Sequence, residues 1–294
     1  MNTKIVFLLP FFFLSLNFHA QTQKKELTLE TGTIFNVSNF DWSIAGNLKG
    51  NSPNILSELK FNNIASLGYY FKGNYTPVTC LKFSIFFQQN KVINGNGSDI
   101  DYKEDNRTNP TFEKKFRSNK GDFMLFKGGV GTPVHLSTKV TITPSLFYYL
   151  TKQKFYILSN QMEELRSTYR ANMKGIEISI EGNIQLNKII YSSLTISHHF
   201  VDYKAEADWN LIDVFKHPLS FSQTSKGSGL EVNALLEGSI SRVFSIIVSG
   251  SLNTTTIRKG TDTSYLITGN DVLTQFNGAK NILYGLGVGI RASF

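Results

Sequence analysis

The chain closes on Tyr284-Gly285-Leu286-Gly287-Val288-Gly289-Ile290-Arg291-Ala292-Ser293-Phe294. Tyr284, Leu286, Val288, Ile290, Ala292 and Phe294 alternate there with Gly285, Gly287, Gly289, Arg291 and Ser293. Successive side chains of an extended strand leave on opposite faces, so this segment has one continuous apolar face and one of glycine and polar groups. Two surroundings accept such a strand: a soluble sheet with its apolar face inward, or a membrane barrel with that face on lipid. Alternation by itself does not choose between them.

The other end of the chain does. Met1-Asn2-Thr3-Lys4 leads into an apolar run from Ile5 to Leu16, interrupted by Pro10 and Ser15, and then into Asn17-Phe18-His19-Ala20. A single lysine, an apolar run too short to span and a closing alanine describe a secretory signal peptide, residues 1–20, ahead of a mature domain, residues 21–294. In an exported chain, a last alternating strand with a terminal aromatic is similar to the signal read by the outer-membrane barrel assembly machinery. No cysteine follows the apolar run to carry an acyl anchor, and Cys80, the only cysteine, forms no internal disulfide. Beyond the signal no segment approaches the roughly 20 apolar residues of a membrane helix.

The same alternation recurs inward from the C-terminus. Leu230, Val232, Ala234 and Leu236 face away from Glu231, Asn233 and Glu237; Ile176, Ile178 and Ile180 from Glu177, Ser179 and Glu181; and Leu81, Phe83, Ile85 and Phe87 from Lys82, Ser84, Phe86 and Gln88. Turn residues divide the mature chain into about ten strands, near 26–37, 55–72, 77–95, 117–131, 138–156, 166–184, 188–205, 220–238, 242–258 and 274–294. Connections 73–76, 132–137, 185–187 and 239–241 are short, whereas 38–54, 96–116, 157–165, 206–219 and 259–273 are long and polar. The expected fold is therefore all-β: a single transmembrane antiparallel β-barrel in the outer membrane, with short periplasmic turns and long extracellular loops. So narrow a barrel is largely filled by side chains, which disfavours a general diffusion pore; Lys82, Glu231, Glu237 and Arg291 read as an internal salt-bridge network.

Net charge is +8, from 30 basic and 22 acidic residues. Export removes nucleic acid as a partner and leaves outer-leaflet phosphates as the counter-charge. No cofactor and no metal are expected. Asp99 and Asp101, two residues apart in Gly95-Asn96-Gly97-Ser98-Asp99-Ile100-Asp101-Tyr102, put two carboxylates on one side of an extended segment, where they can hold a water or share a proton. The bland alternative is a solvated loop rich in turn residues. A second polar stretch holds His199, Asp202, Tyr203, Asp208, Trp209, Asn210, Asp213 and His217; there the alternatives are interfacial aromatics and a His-Pro turn.

The order of these pieces resembles the omptin family, ten-stranded outer-membrane endopeptidases with an active site at the extracellular mouth. Ser57-Glu58-Leu59-Lys60-Phe61-Asn62-Asn63 is similar to the family's Ser-x-Leu-x-Trp pattern, and Gly95 to Tyr102 to its Asp-x-Asp-Trp stretch. The resemblance implies a catalytic acid pair at Asp99 and Asp101, and a second element at Asp208 and Asn210. Asparagine stands where the family has histidine, and an amide is no base. The resemblance also implies lipopolysaccharide binding by Lys154 and Arg170, which share the outward parity of Ile142, Leu146, Ile176 and Ile178; ordinary rim charges are the alternative. Three functions remain: an endopeptidase acting on peptides with an incomplete site, a non-catalytic barrel that binds a ligand or adheres through its loops, and a narrow solute channel.

Overall fold

The computed structural model describes residues 26–294, and the signal peptide expected at 1–20 lies outside them. The strands are β1 (Glu26–Ile44), β2 (Ser57–Val78), β3 (Leu81–Glu104), β4 (Thr108–Arg117), β5 (Gly121–Gly131), β6 (Val134–His135) and β7 (Val140–Leu158). They continue as β8 (Arg166–Gln185), β9 (Ile190–Asp208), β10 (Phe221–Ser239), β11 (Phe244–Ile257), β12 (Gly260–Tyr265) and β13 (Asp271–Ser293). β4 and β5 are successive parts of one stave against β3, and β11 and β12 of one stave between β10 and β13. Ten antiparallel staves result, and β1 pairs with β13 from Thr28↔Ser293 to Ile44↔Phe276, which closes the ring. Closure leaves the transmembrane part without a strand edge.

The faces fall as the alternation requires. Ile176, Ile178, Ile180, Leu230, Leu286 and Val288 stand exposed on the outside, while Gln88, Tyr149, Glu177 and Ser179 are buried in the lumen. A row of charged partners, Lys91↔Asp122↔Lys154↔Arg170↔Glu206, runs across neighbouring strands above this apolar belt and marks its upper limit. Inside the belt the lumen is filled by ion pairs: Lys127 with Glu177 and Glu231, both at 2.9 Å, Lys82 with Glu181 at 2.8 Å, and Arg291 with Glu30 at 2.8 Å and with Glu237. The network expected of Lys82, Glu231, Glu237 and Arg291 is thus present, extended by Lys127, Glu30, Glu177 and Glu181. In a low-dielectric interior each buried charge requires such a partner.

Above the ion pairs lies an aromatic layer. Phe40, Trp42, Leu59, Phe61, Phe116, Phe155, Tyr169, Tyr203, Phe221 and Phe276 are all buried. Phe61 stacks on Phe155 at 4.5 Å and Trp42 on Tyr169 at 5.5 Å, within the range favourable for offset rings.

Element boundaries differ from the sequence expectation on the outer side. β1 runs on to Ile44, so the expected loop 38–54 begins only after that residue, and β3 to Glu104 with β4 from Thr108 make most of the expected loop 96–116 strand; at the other end of the barrel β2 continues through 73–76 to Val78. Gly95 and Gly97 prompted the loop reading, yet they are strand residues where neighbours approach closely. A Cβ on Gly97 would strike the Lys60 carbonyl and the Phe116 ring. Glycine is required there by the packing of the aromatic layer, not by a turn.

Candidate functional site at the extracellular mouth

The bulge at Asn62–Ala65 on β2 and its partner at Asn94 on β3 reset the parity of both strands, so that above them the odd residues point inward. Leu59, Phe61, Gly97, Asp99 and Asp101 share that inward face. Asp99 is paired across the strand with Leu59, and Asp101 with Ser57. The Ser57 hydroxyl lies beside both carboxyls and acts to lower each of them. Burial, then the neighbouring Asp101, push the Asp99 carboxyl up to about 7, and burial also raises Asp101.

Asp208 and Asn210 are not brought to that pair. Asp208 has the outward parity of Lys204 and Glu206, and it lines a hollow on the outer wall with Thr168, Arg170 and Pro218. His217 Nδ1 lies 2.7 Å from Asp208 Oδ1, so an aspartate–imidazole pair does form, nine residues apart in sequence and on the outside. Asn210 is used up in tying loops together. Its Oδ1 accepts from the Arg166 backbone N–H at 2.9 Å and from Ser167 Oγ at 3.1 Å, and its Nδ2 donates to the Glu164 carbonyl at 2.8 Å. His199 is wholly buried in the lumen, 2.8 Å from Thr255 Oγ1 and stacked on Tyr149 at 4.6 Å. Tyr203, read as a candidate interfacial aromatic, points inward and stacks on Phe276, while Trp209 packs edge-on against Phe221.

Facing the lumen on the far wall is a polar chain that the sequence did not announce. Tyr203 and Tyr169 share a hydrogen bond of 2.5 Å, Tyr169 donates to Gln223 at 2.6 Å, and Gln223 donates to Asp262 at 3.0 Å. Burial pushes the Asp262 carboxyl up to about 6, against the opposing hydrogen bonds of Gln223 and Thr274. These residues come from β8, β9, β10 and β12, a set that only the ring brings together.

The loops at the rim are interlocked. Asn54 donates from its backbone to Asp105 at 2.6 Å, its amide bonds Asn106 at 2.9 Å, and its carbonyl accepts from Asn277 at 3.0 Å. Arg107 binds Glu58 at 2.5 Å; although burial alone would raise it, this contact and that of Lys60 hold the Glu58 carboxyl below its usual value. The 209–220 loop is tied to the β12–β13 hairpin through Lys216 and Tyr265 at 2.8 Å. Lys154 and Arg170 are register partners on the outer wall, with Lys154 donating to Tyr156 at 2.6 Å. Among the described residues no cluster of three or more His, Cys, Asp or Glu is arranged to hold a metal.

A closed ring with an apolar belt, a filled polar lumen and a locked crown of loops is an outer-membrane β-barrel. Residues 34–294 match the model of the Protochlamydia outer membrane protein family, and the chain belongs to that family. No curated protein sequence matches it. Among solved structures, the outer-membrane protease OmpT of Escherichia coli superposes with a TM-score of 0.69 over 92% of this chain and 96% of that one, at 14% identity. That likeness concerns the fold alone. The outer-membrane protein OprG of Pseudomonas aeruginosa covers 92% of this chain and 95% of its own at 10% identity, with a TM-score of only 0.37.

Proposed function

We propose that the chain is a binding barrel of the outer membrane, an omptin-like scaffold that keeps an acid pair at its mouth and works through its crown of loops instead of cleaving peptides. The observation that carries this reading is the orientation of the second acidic element. Asp208 and His217 lean outward, Asn210 is consumed in loop contacts, and the inward wall opposite Asp99 presents Tyr169, Tyr203, Ala205, Ala207 and Phe221. Hydrolysis needs a base within reach of the attacking water. The interlocked loops suit binding, since a preorganised surface loses little entropy on association.

The test is a peptide-cleavage assay on the refolded barrel, the D99N/D101N variant and H217A. We expect background rates from all three. General acid–base groups contribute about 10²–10⁴-fold, so a working site would be plain. Robust cleavage by the parent that disappears in either variant replaces this reading with that of an endopeptidase using a displaced imidazole.

The same reading gives Lys154 and Arg170 a partner in lipopolysaccharide phosphates. They adjoin each other at the upper limit of the apolar belt, where a cation is cheap and a phosphate within reach. Replacing both by glutamine should weaken thermal protection by added lipid A; equal protection of parent and variant leaves them as rim charges.

A further inference from the structure

β4 has a partner on one side only. It pairs with β3 from Glu104↔Thr108 to Asn96↔Arg117, whereas its sole pairing with β7 is Arg117↔Leu158. β7 stops at Leu158, and its loop turns aside with Asn160 accepting from Arg117 at 2.7 Å. Backbone groups of an antiparallel strand point alternately to either side. Because the Ser118 N–H is given to Gly95, the groups of Phe116, Lys114 and Phe112 face β3 and those of Lys115 and Glu113 face away, up to the register shift that leaves Thr111 without a partner on β3. No backbone hydrogen bond among the described residues uses that outer edge of Glu113 or Lys115. Among the described residues the closed ring thus has an open strand edge in β4, on the outside of the cell.

The chemistry around the edge selects what can pair with it. Residues 108–120 hold Lys114, Lys115, Arg117 and Lys120 against Glu113. Lys114, Lys115 and Lys120 have no ion pair among the described residues, and Phe112 is exposed, 44% accessible, beside them. Two copies of so basic an edge repel each other, which is how lysines protect edges from self-pairing.

We propose that the edge at Glu113 and Lys115 takes up an extended acidic segment of a partner polypeptide as an added β-strand. Main-chain hydrogen bonds supply the affinity, Lys114 and Lys115 the charge selection, and Phe112 an apolar foothold. The inference rests on the binding reading and names the partner class for one part of the crown.

The probe is a short fluorescent peptide alternating glutamate with valine, titrated against the full barrel in detergent micelles. Saturable binding is expected, together with slowed amide exchange at Glu113 and Lys115, and none for the peptide with lysine in place of glutamate. Lys115→Pro removes an N–H aimed at the free edge and leaves the β3 ladder intact, so it should weaken binding by about tenfold. The K114Q/K115Q variant should weaken it by about as much. Heat-modifiable migration shows that each variant is folded; should Lys115→Pro fail to fold, amide exchange in the parent decides. Absence of saturation up to about 1 mM overturns the proposal, as does binding that leaves both amides unprotected, since charge alone would then explain it. A peptide that binds and is also cut defeats the binding-only reading while the edge stands. One neither bound nor cut defeats the edge alone.

Discussion

Asp99 sits where a carboxylate is costly. Its value is pushed up to about 7 from an ordinary 3.8, first by burial and then by Asp101, with the Ser57 hydrogen bond opposing both. A folded value above the unfolded one means that the native state holds the extra proton between about pH 4 and pH 7. The stability this contributes is complete below that window and lost as pH rises through it. Asp99→Asn removes the titration, so its thermal midpoint should exceed that of the parent at about pH 8 and approach it near about pH 4. An offset independent of pH would place the Asp99 side chain in water. Phe61 offers a contrast without charge. It is fully buried between Phe40, Phe116 and Phe155, and Phe61→Ala should cost about 3–5 kcal/mol in denaturant unfolding.

Among the elements, the closing pair β1–β13 carries the most consequence. Phe294 exchanges backbone hydrogen bonds with Leu27, at 2.9 and 3.1 Å, so the terminal residue is itself a rung of the seam. Deleting it should lower the yield in the outer membrane without altering the crown; unchanged insertion would remove the terminal strand as an assembly signal. Gly32 and Gly289 face the lumen beside Tyr70, and a Cβ on either would strike its ring or hydroxyl. We expect Gly289→Ala to reduce assembly. Tyr70→Ala should rescue it only in part, because the Thr31 carbonyl also crowds that position.

For the whole molecule, closure and a filled lumen have separate signatures. A ring with no free edge in the membrane resists detergent, so the unboiled chain should migrate faster than the boiled one. Equal migration would argue for an open sheet. The lumen holds a cavity of about 130 Å³ lined by Tyr70, Lys72, Lys82, Lys127 and Glu181, beneath an aromatic layer. Proteoliposomes containing the barrel should therefore swell no faster in small sugars than empty vesicles, whereas fast swelling would restore the channel reading.

The class of fold was written in the alternation of Tyr284 to Phe294 and of its counterparts, because a lipid face and a lumen face impose a period of two on every stave. Even the lumen ion pairs were legible as charged residues on the face opposite Ile176, Leu230 and Leu286. The even spacing of Ile34, Asn36, Ser38, Phe40 and Trp42 also continued the β1 pattern into what the turn residues suggested was loop. What no local pattern contained was the company each residue keeps across the ring. Asn210 became a loop tie, His217 found Asp208 from nine residues away, and Asp262 met Tyr169 through Gln223. Parity beyond a bulge, and contacts between staves distant in sequence, follow from register and closure. Those properties belong to the assembled barrel, so the tertiary structure alone decided that Asp208 meets His217 on the outer wall and that the β4 edge stays open.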